Sequence, residues 1–202
     1  MLSRPLILIL IGTLTCSAAL AQTPAADASS NHDATPMTLG FTTDLLPIVV
    51  SATEDEFGKS GQVWLGVESL RLRLVGADIF MPDGISANNG FTNRRITTYA
   101  FIVDKCFGEH YDGWWVGSGF ELWMNEMEHE DAPGENVEWN NVAWTLGGGY
   151  TWRFWNDFFL EPWGAVHVML SDPDVELAGR TLDTNPVSAE VSLKVGWSMD
   201  LR

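Results

Sequence analysis

Few residues in this sequence could do chemistry. His167 and Glu161 stand in the segment Phe158–Leu170, where Phe158, Leu160, Val166, Val168 and Leu170 take one face and the two titratable side chains take the other. An imidazole with a carboxylate is the base and orienting acid that a hydroxyl nucleophile needs, so a Ser/His/acid site near the end of a strand has to be weighed. The competing reading, and the favoured one, is a histidine satisfied within a network of charged neighbours.

A second concentration is acidic. Glu126-Met127-Glu128-His129-Glu130-Asp131 is followed by Glu135 and Glu138, and Asp172, Asp174, Glu176 and Asp183 crowd a later link. Hard divalent cations take carboxylate oxygens, which makes Glu128, Glu130, Asp131, Asp172 and Asp174 candidate ligands. Neither run has the ordered spacing of a calcium loop, so a solvated acidic loop is the preferred reading and no metal is assigned. No motif for a cofactor is present.

The elements that carry these residues follow from composition and pattern. The chain has 202 residues, 46% hydrophobic and 19% charged, with 19 Gly and 10 Trp, which excludes an unfolded polyelectrolyte and suits one domain. Eleven Lys and Arg against 27 Asp and Glu give a net charge of -16, a field that repels phosphates and argues against a nucleic-acid partner. Arg4, the apolar run Leu6–Leu14 and the small residues Ala18, Ala19 and Ala21 read as a secretory signal peptide over 1–21, cut before Gln22. The exported chain then keeps Cys106 as its single thiol and has no internal disulfide. Residues 22–36, small, polar and aperiodic, read as a flexible periplasmic leader, and 37–202 as the folded domain.

From Thr38 onward apolar and polar residues alternate with period two, which is the signature of strands with two unlike faces. The last stretch is the clearest, with Val187, Ala189, Val191, Leu193, Val195, Trp197, Met199 and Leu201 opposing Ser188, Glu190, Ser192, Lys194, Gly196, Ser198 and Asp200. The pattern predicts eight strands near 38–52, 61–68, 70–82, 95–106, 113–128, 139–154, 157–170 and 187–202. A phase slip at Val75-Gly76 predicts a bulge. Pro47 and Pro162 are expected at a bulge or strand end, because each lacks a ladder donor. The links 53–60, 83–94, 129–138 and 171–186 are long, and those at Ser69, 107–112 and 155–156 are short. Long and short therefore alternate, which places all the long links at one end of an up-and-down sheet.

Alternation alone leaves two barrels open, a lipocalin-like one with its apolar face around a ligand cavity and an outer-membrane one with that face in lipid. The polar face favours the second. It carries Asp44, Glu68, Asp104, Glu121, Glu161 and Glu190 with Arg71, Arg73, Arg153, Lys194 and His167, a set able to neutralise itself in a narrow lumen. Arg71 and Arg73 are expected to pair with carboxylates across strands. The same face sets Gly117, Gly119, Gly147, Gly149 and Gly196 beside Trp64, Trp115, Trp123 and Trp163, small next to large, as in a filled interior too narrow to conduct. On the apolar face Trp114, Trp152, Phe154, Phe158 and Trp197 gather toward strand ends as an aromatic girdle would. The expected fold class is all-β, an eight-stranded antiparallel up-and-down transmembrane barrel.

With signal peptide, eight-strand meander and alternating links in place, the chain resembles the small outer-membrane β-barrel proteins of the OmpA/OmpX type. Lys194, Gly196, Met199 and Leu201 look like that family's C-terminal assembly signal, although the chain ends Leu201-Arg202 where the family commonly ends on an aromatic residue. The resemblance implies a place in the outer membrane of a Gram-negative bacterium among lipid and lipopolysaccharide, insertion by the outer-membrane assembly machinery, termini in the periplasm and long links outside. It speaks to architecture and hardly to activity; the chain is read as a structural or interaction protein with acidic external loops, not an enzyme. Two alternatives stand beside it. One is a periplasmic or secreted lipocalin-like carrier of a small apolar ligand; the other is a lipid A-modifying barrel enzyme, although Met169 stands where the deacylases of that group place a serine two residues after the histidine.

Overall fold

The computed structural model describes residues 36–201 apart from 156 and 172. The segment read as signal peptide, the leader up to residue 35, the candidate ligand Asp172 and Arg202 lie outside the described residues. Strands β1 (Met37–Asp44), β2 (Lys59–Val67), β3 (Leu70–Phe80), β4 (Phe91–Cys106), β5 (Gly113–His129), β6 (Ala132–Phe154) and β7 (Phe158–Met169) follow one another as a meander. A small hairpin, β8 (Glu176–Leu177) with β9 (Arg180–Thr181), stands apart from the barrel wall, and β10 (Val187–Leu201) completes the wall. The antiparallel order β1-β10-β7-β6-β5-β4-β3-β2 closes on itself, because β1 pairs with β10 on one side and β2 on the other. Closure removes every sheet edge, as a wall facing lipid requires.

At one end the links are tight: Glu68-Ser69, 107–112 and 155–157, with Glu68 and Trp155 in the left-handed region at φ 55° and 46°. At the other end the chain makes longer excursions at 45–58, 81–90 and 170–186. Three expectations change there. Residues 46–51 are not strand but the short helix α1 (Leu46–Ser51), with Pro47 in its first turn, where a missing N–H leaves no helical bond unmade. A second short helix, α2 (Asp83–Ser86), caps the next excursion. Residues 129–138 are a projecting hairpin more than a loop: β5 turns into β6 at Glu130-Asp131, residues 133–135 bulge out where the register shifts, and the ladder resumes at Asn136.

Pro162 lies inside β7, at neither a bulge nor a strand end. Its pairing with Leu193 of β10 is kept, but the rungs to Tyr150 and Thr151 of β6 are missing although the register on either side is unchanged. The missing donor removes rungs without shifting the strand.

There is also no bulge at Val75-Gly76. β3 keeps one register with β2 from Leu70 to Asp78 and with β4 from Leu70 to Phe80. What changes is the chemistry of the two faces. In the half nearer the short turns the outward residues are apolar (Phe41, Leu72, Leu74, Phe101, Val103, Val116, Phe120, Leu146), and all are exposed. On β6 this outward series runs from Val142 to Trp152, about 33 Å of strand and so about 25 Å of height at a tilt near 40°, matching the apolar band of a membrane barrel. Beyond it the faces exchange roles. Val75, Ala77 and Ile79 of β3 and Ile96, Ala100 and Ile102 of β4 line the interior. The outside carries the bidentate pair Arg95 to Asp78 at 2.9 and 2.7 Å, with Lys59 3.8 Å from the same carboxylate.

Two apolar clusters mark the two halves. Trp64, Cys106, Tyr111, Trp115 and Phe159 fill the short-turn half, with Trp163 packed against them. Phe91, Met127, Trp139, Val175 and Leu182 form the other at the far end, where the long link 170–186 folds onto the β5–β6 hairpin.

Candidate functional site

The interior is stratified. Its deepest layer is ionic and dry: Arg71 donates from Nε to Asp104 Oδ2 and from Nη1 to Glu161 Oε2, each at 2.7 Å, and Thr151 adds a 2.8 Å bond to the same Glu161 oxygen. Arg73 reaches Asp104 Oδ1 at 2.9 Å through Nη2 and Gln62 Oε1 at 3.2 Å through Nη1. Lys194 Nζ lies 4.0 Å from Glu161 and 3.5 Å from the centre of the Trp163 ring. The Trp115 ring has the guanidinium groups of Arg71 and Arg73 at 5.0 and 4.9 Å and the Lys194 ammonium at 5.7 Å, so its π face adds to the neutralisation of three cations. Burial on this scale is tolerable because every charge has an opposite partner within reach.

Glycines make room for this layer. A Cβ at Gly117 would stand 2.0 Å from Asp104 Oδ1, and one at Gly40 would stand 2.0 Å from the Trp64 ring. Gly196, one of the four residues of the terminal motif, lies beneath Phe159 in the same way, at 2.2 Å. Its companions divide by face: Lys194 is buried inside, Met199 is exposed outside, and Leu201 pairs with Met37 at the seam.

Above this floor lies a second polar group. His167 Nδ1 is 2.9 Å from Thr145 Oγ1 and 3.5 Å from Glu121 Oε1, while Nε2 is 3.6 Å from Glu190 Oε1. Glu121 also accepts from Trp123 Nε1 at 2.6 Å and from Thr145 at 2.9 Å. Asp44 accepts from Trp163 Nε1 at 2.8 Å and from Ser192 Oγ, and stands opposite Lys194 in the β1–β10 ladder.

Nine of the eleven charged residues that the alternation assigned to the lumen thus meet in two connected groups. Two do not. Glu68 is exposed, held by the tight β2–β3 turn away from the interior. Arg153 is half-buried near the short-turn end, where it donates to Ser198 Oγ at 2.9 Å and forms no ion pair among the described residues. Nor does His167 take Glu161 as its partner, since the strand separates them and Glu161 is committed to Arg71. Sequence reasoning did not find Glu121 and Glu190 as the partners of His167, because those contacts depend on cross-strand register.

The acidic candidates also separate. Glu128 accepts from Asn93 at 3.1 Å, Glu130 and Asp131 form the hairpin turn, and Asp174 lies in the following link. No three His, Cys, Asp or Glu side chains among the described residues are placed to hold a metal ion. Glu126, Glu128 and Glu138 share the outer face of the hairpin, with Glu126 opposite Glu138 in the ladder.

Between floor and rim the lumen is open, contrary to the filled interior expected from the Gly and Trp pattern. A cavity of about 740 Å³ occupies the long-loop half, reaching down to Gln62, Arg73, Trp163 and Lys194 and up to α1, α2 and Leu182. Its lining is apolar along β3 and β4 and polar along the opposite wall, where Glu121, Thr145, His167 and Glu190 stand.

Comparison with solved structures decides the class. The N-terminal β-barrel domain of OprF from Pseudomonas aeruginosa matches with a TM-score of 0.52 at 10% identity, over 82% of this chain and 98% of that one. A major outer membrane protein of Thermus thermophilus matches with a TM-score of 0.51 at 10% identity, over 81% and 99%. The chain shares the fold of these two barrels. At such low identity the likeness shows the fold alone. No protein-family model and no curated protein matches the chain. Within this outer-membrane fold, the residues proposed as a girdle, Trp114, Trp152, Phe154, Phe158 and Trp197, all lie near the short-turn end. Trp114 meets Tyr150 edge-on at 5.2 Å, and Trp197 stacks on Phe41 at 6.4 Å.

Proposed function

We propose that this chain is a bacterial outer-membrane protein of structural or interaction type. It is exported by a cleaved signal peptide and inserted by the assembly machinery with Lys194, Gly196, Met199 and Leu201 as its signal. Its short turns face the periplasm, its long excursions and acidic hairpin face outward, and its wall contacts lipid and lipopolysaccharide. The observation that carries the reading is the continuous outward apolar band, Phe41 through Leu146, wrapped around a charged and paired interior. A soluble barrel would leave that band in water, far beyond the apolar patch a monomer tolerates.

The barrel does not conduct ions, because the short-turn half is closed by Trp64, Tyr111, Trp115 and Phe159 together with the ion pairs beneath the cavity. It is not an enzyme: the Thr145 hydroxyl beside His167 donates its O–H to Glu121 at 2.9 Å, so it accepts from the imidazole instead of being activated by it.

The test is fractionation of expressing cells followed by unheated and heated gel electrophoresis. Recovery in the outer-membrane fraction, with mobility that changes on boiling, is expected. A freely soluble, heat-insensitive monomer in the periplasm overturns the proposal. Incubation of the refolded barrel with lipid A is expected to release no acyl chain, and release would return the enzyme alternative.

A further inference from the structure

We propose that the cavity of the long-loop half is a binding site for an amphipathic monocarboxylate, a single hydrocarbon chain with an anionic head, seated with its head on Arg94 and its chain along β3 and β4. The site depends on the closed barrel and its interior, not on the partner or role of the external loops.

Three observations converge. The cavity measures about 740 Å³, within the usual range for small-molecule sites, which are mostly apolar with a few fixed polar groups. Its mainly apolar wall is formed by Val75, Ala77, Ile79, Ile96, Ala100 and Ile102, interrupted by Thr98 with a buried hydroxyl. From Arg94 to Ile102 the wall runs along about 26 Å of strand, enough for an extended medium-length chain.

Arg94, at the cavity's upper end, is the arginine of the lining without an ion pair among the described residues; Arg153, also without one, lies outside the cavity near the short-turn end. Arg71, Arg73 and Arg95 each hold a carboxylate. Arg94 lines the cavity, donates from Nη2 to the neutral amide of Asn125 at 2.7 Å, stacks over Trp139 at 5.7 Å and forms no ion pair among the described residues. Its Nε–H is buried without an acceptor. A guanidinium drawn partly out of water against an indole, with an amide as its single polar contact, is an unfinished ion pair, and a planar carboxylate completes it by two parallel bonds.

The rest of the lining selects among anions. Glu121 and Glu190 stand on the opposite wall. His167 lies 3.5 and 3.6 Å from them, so the negative charge they leave is small; it opposes a dianionic phosphate more than a single carboxylate, which Arg94 matches in charge. A cationic amphiphile would be met by Glu190 but repelled at Arg94, next to the apolar wall that must take its chain.

The experiment uses the refolded barrel in phosphatidylcholine nanodiscs with carboxyl-labelled dodecanoate, read by carbon-13 NMR. The expected result is one equivalent of a carboxylate resonance resolved from bilayer-dissolved dodecanoate, titrating at lower pH than the dissolved form. Arg94→Gln is expected to weaken that binding at least tenfold while leaving dodecanol, detected by its own labelled head carbon, bound as before. Ala100→Trp, which fills the cavity, is expected to abolish both. Heat-modifiable mobility confirms that each variant is folded. Absence of a resolved resonance in the wild type overturns the proposal. So does a resonance that survives Ala100→Trp, which places the ligand on the lipid-facing surface, and so does equal binding of dodecanoate to the wild type and Arg94→Gln.

Discussion

The two halves of this barrel share strands and closure, but along β3 and β4 their faces carry opposite polarity. In the short-turn half the apolar side chains look out, and the inside is a dry lattice of Arg71, Arg73, Asp104, Glu161 and Lys194 around Trp115. In the long-loop half the inside of β3 and β4 is aliphatic and the outside carries Asp78 and Arg95. The first is the pattern expected of a wall in lipid and the second, on these two strands, that of a water-soluble barrel, joined in one unshifted β3–β4 ladder. A strand is indifferent to which face is wet, because its backbone bonds lie in the sheet and its side chains alternate regardless. Polarity is set by what surrounds each height of the wall, so one continuous sheet can serve two solvents.

The largest expected difference lies in the interior. Arg71→Met leaves Asp104 and Glu161 short of their main partner in a water-free layer and is expected to cost about 3–5 kcal/mol. Arg73→Met, which also removes a neutral contact to Gln62 but leaves Arg71 on Asp104, should cost less; both are read from the heat-modifiable melting of the refolded barrel. An unchanged melting profile for both variants means the layer is not an energetic unit.

Outside, Leu146→Arg puts a charge in mid-band and should cost about 2–4 kcal/mol in urea unfolding from lipid. Asn140→Arg, three rungs higher on the same face of β6, should stay within about 0.5 kcal/mol. Equal costs at the two heights would remove the boundary between the halves.

The smallest contrast concerns packing. Gly40→Ala drives a methyl into the Trp64 ring and is expected to cost about 1–3 kcal/mol. Ala100→Leu projects into open cavity and should be close to neutral in the same urea titration. A severe loss at Ala100 would mean the upper interior is as tightly packed as the lower.

Much of the fold was legible in the sequence because period-two alternation survives whichever face is wet. The eight-residue apolar series of β10 marked a true strand, and the split of Trp64, Trp115 and Trp163 from Trp114 and Trp152 followed from parity alone. Legibility failed where the two polarities meet. At Val75-Gly76 the apolar residues change parity, which reads as a slipped strand although the chain only crosses from one solvent to the other; the muddled pattern of 95–106 has the same origin. Pro133 and Gly134 read as a loop but form a bulge inside an exposed hairpin that needs no apolar face. In the lumen the participating residue types were readable, but their partners were not. Which carboxylate meets His167 or Arg71 depends on stagger around a closed cylinder, and no local signal encodes that. Arg94 carries no mark in sequence at all, since its distinction is the partner it lacks.

The wall is also uneven in length: β1 has 8 residues, whereas β6, on the far side of the cylinder, has 23. β1 is therefore the shallowest stave of the tube, joined by six rungs to β2 and eight to β10, while the deepest hairpin stands opposite like a spine. Strain applied to this barrel, by heat, denaturant or a wedge of lipid, will find the two joins of β1 first and hinge the sheet about β5 and β6. Such an opening would admit water beside Asp44 and Lys194 before it disturbed Arg71, so the molecule should unzip from its two termini inward rather than melt uniformly.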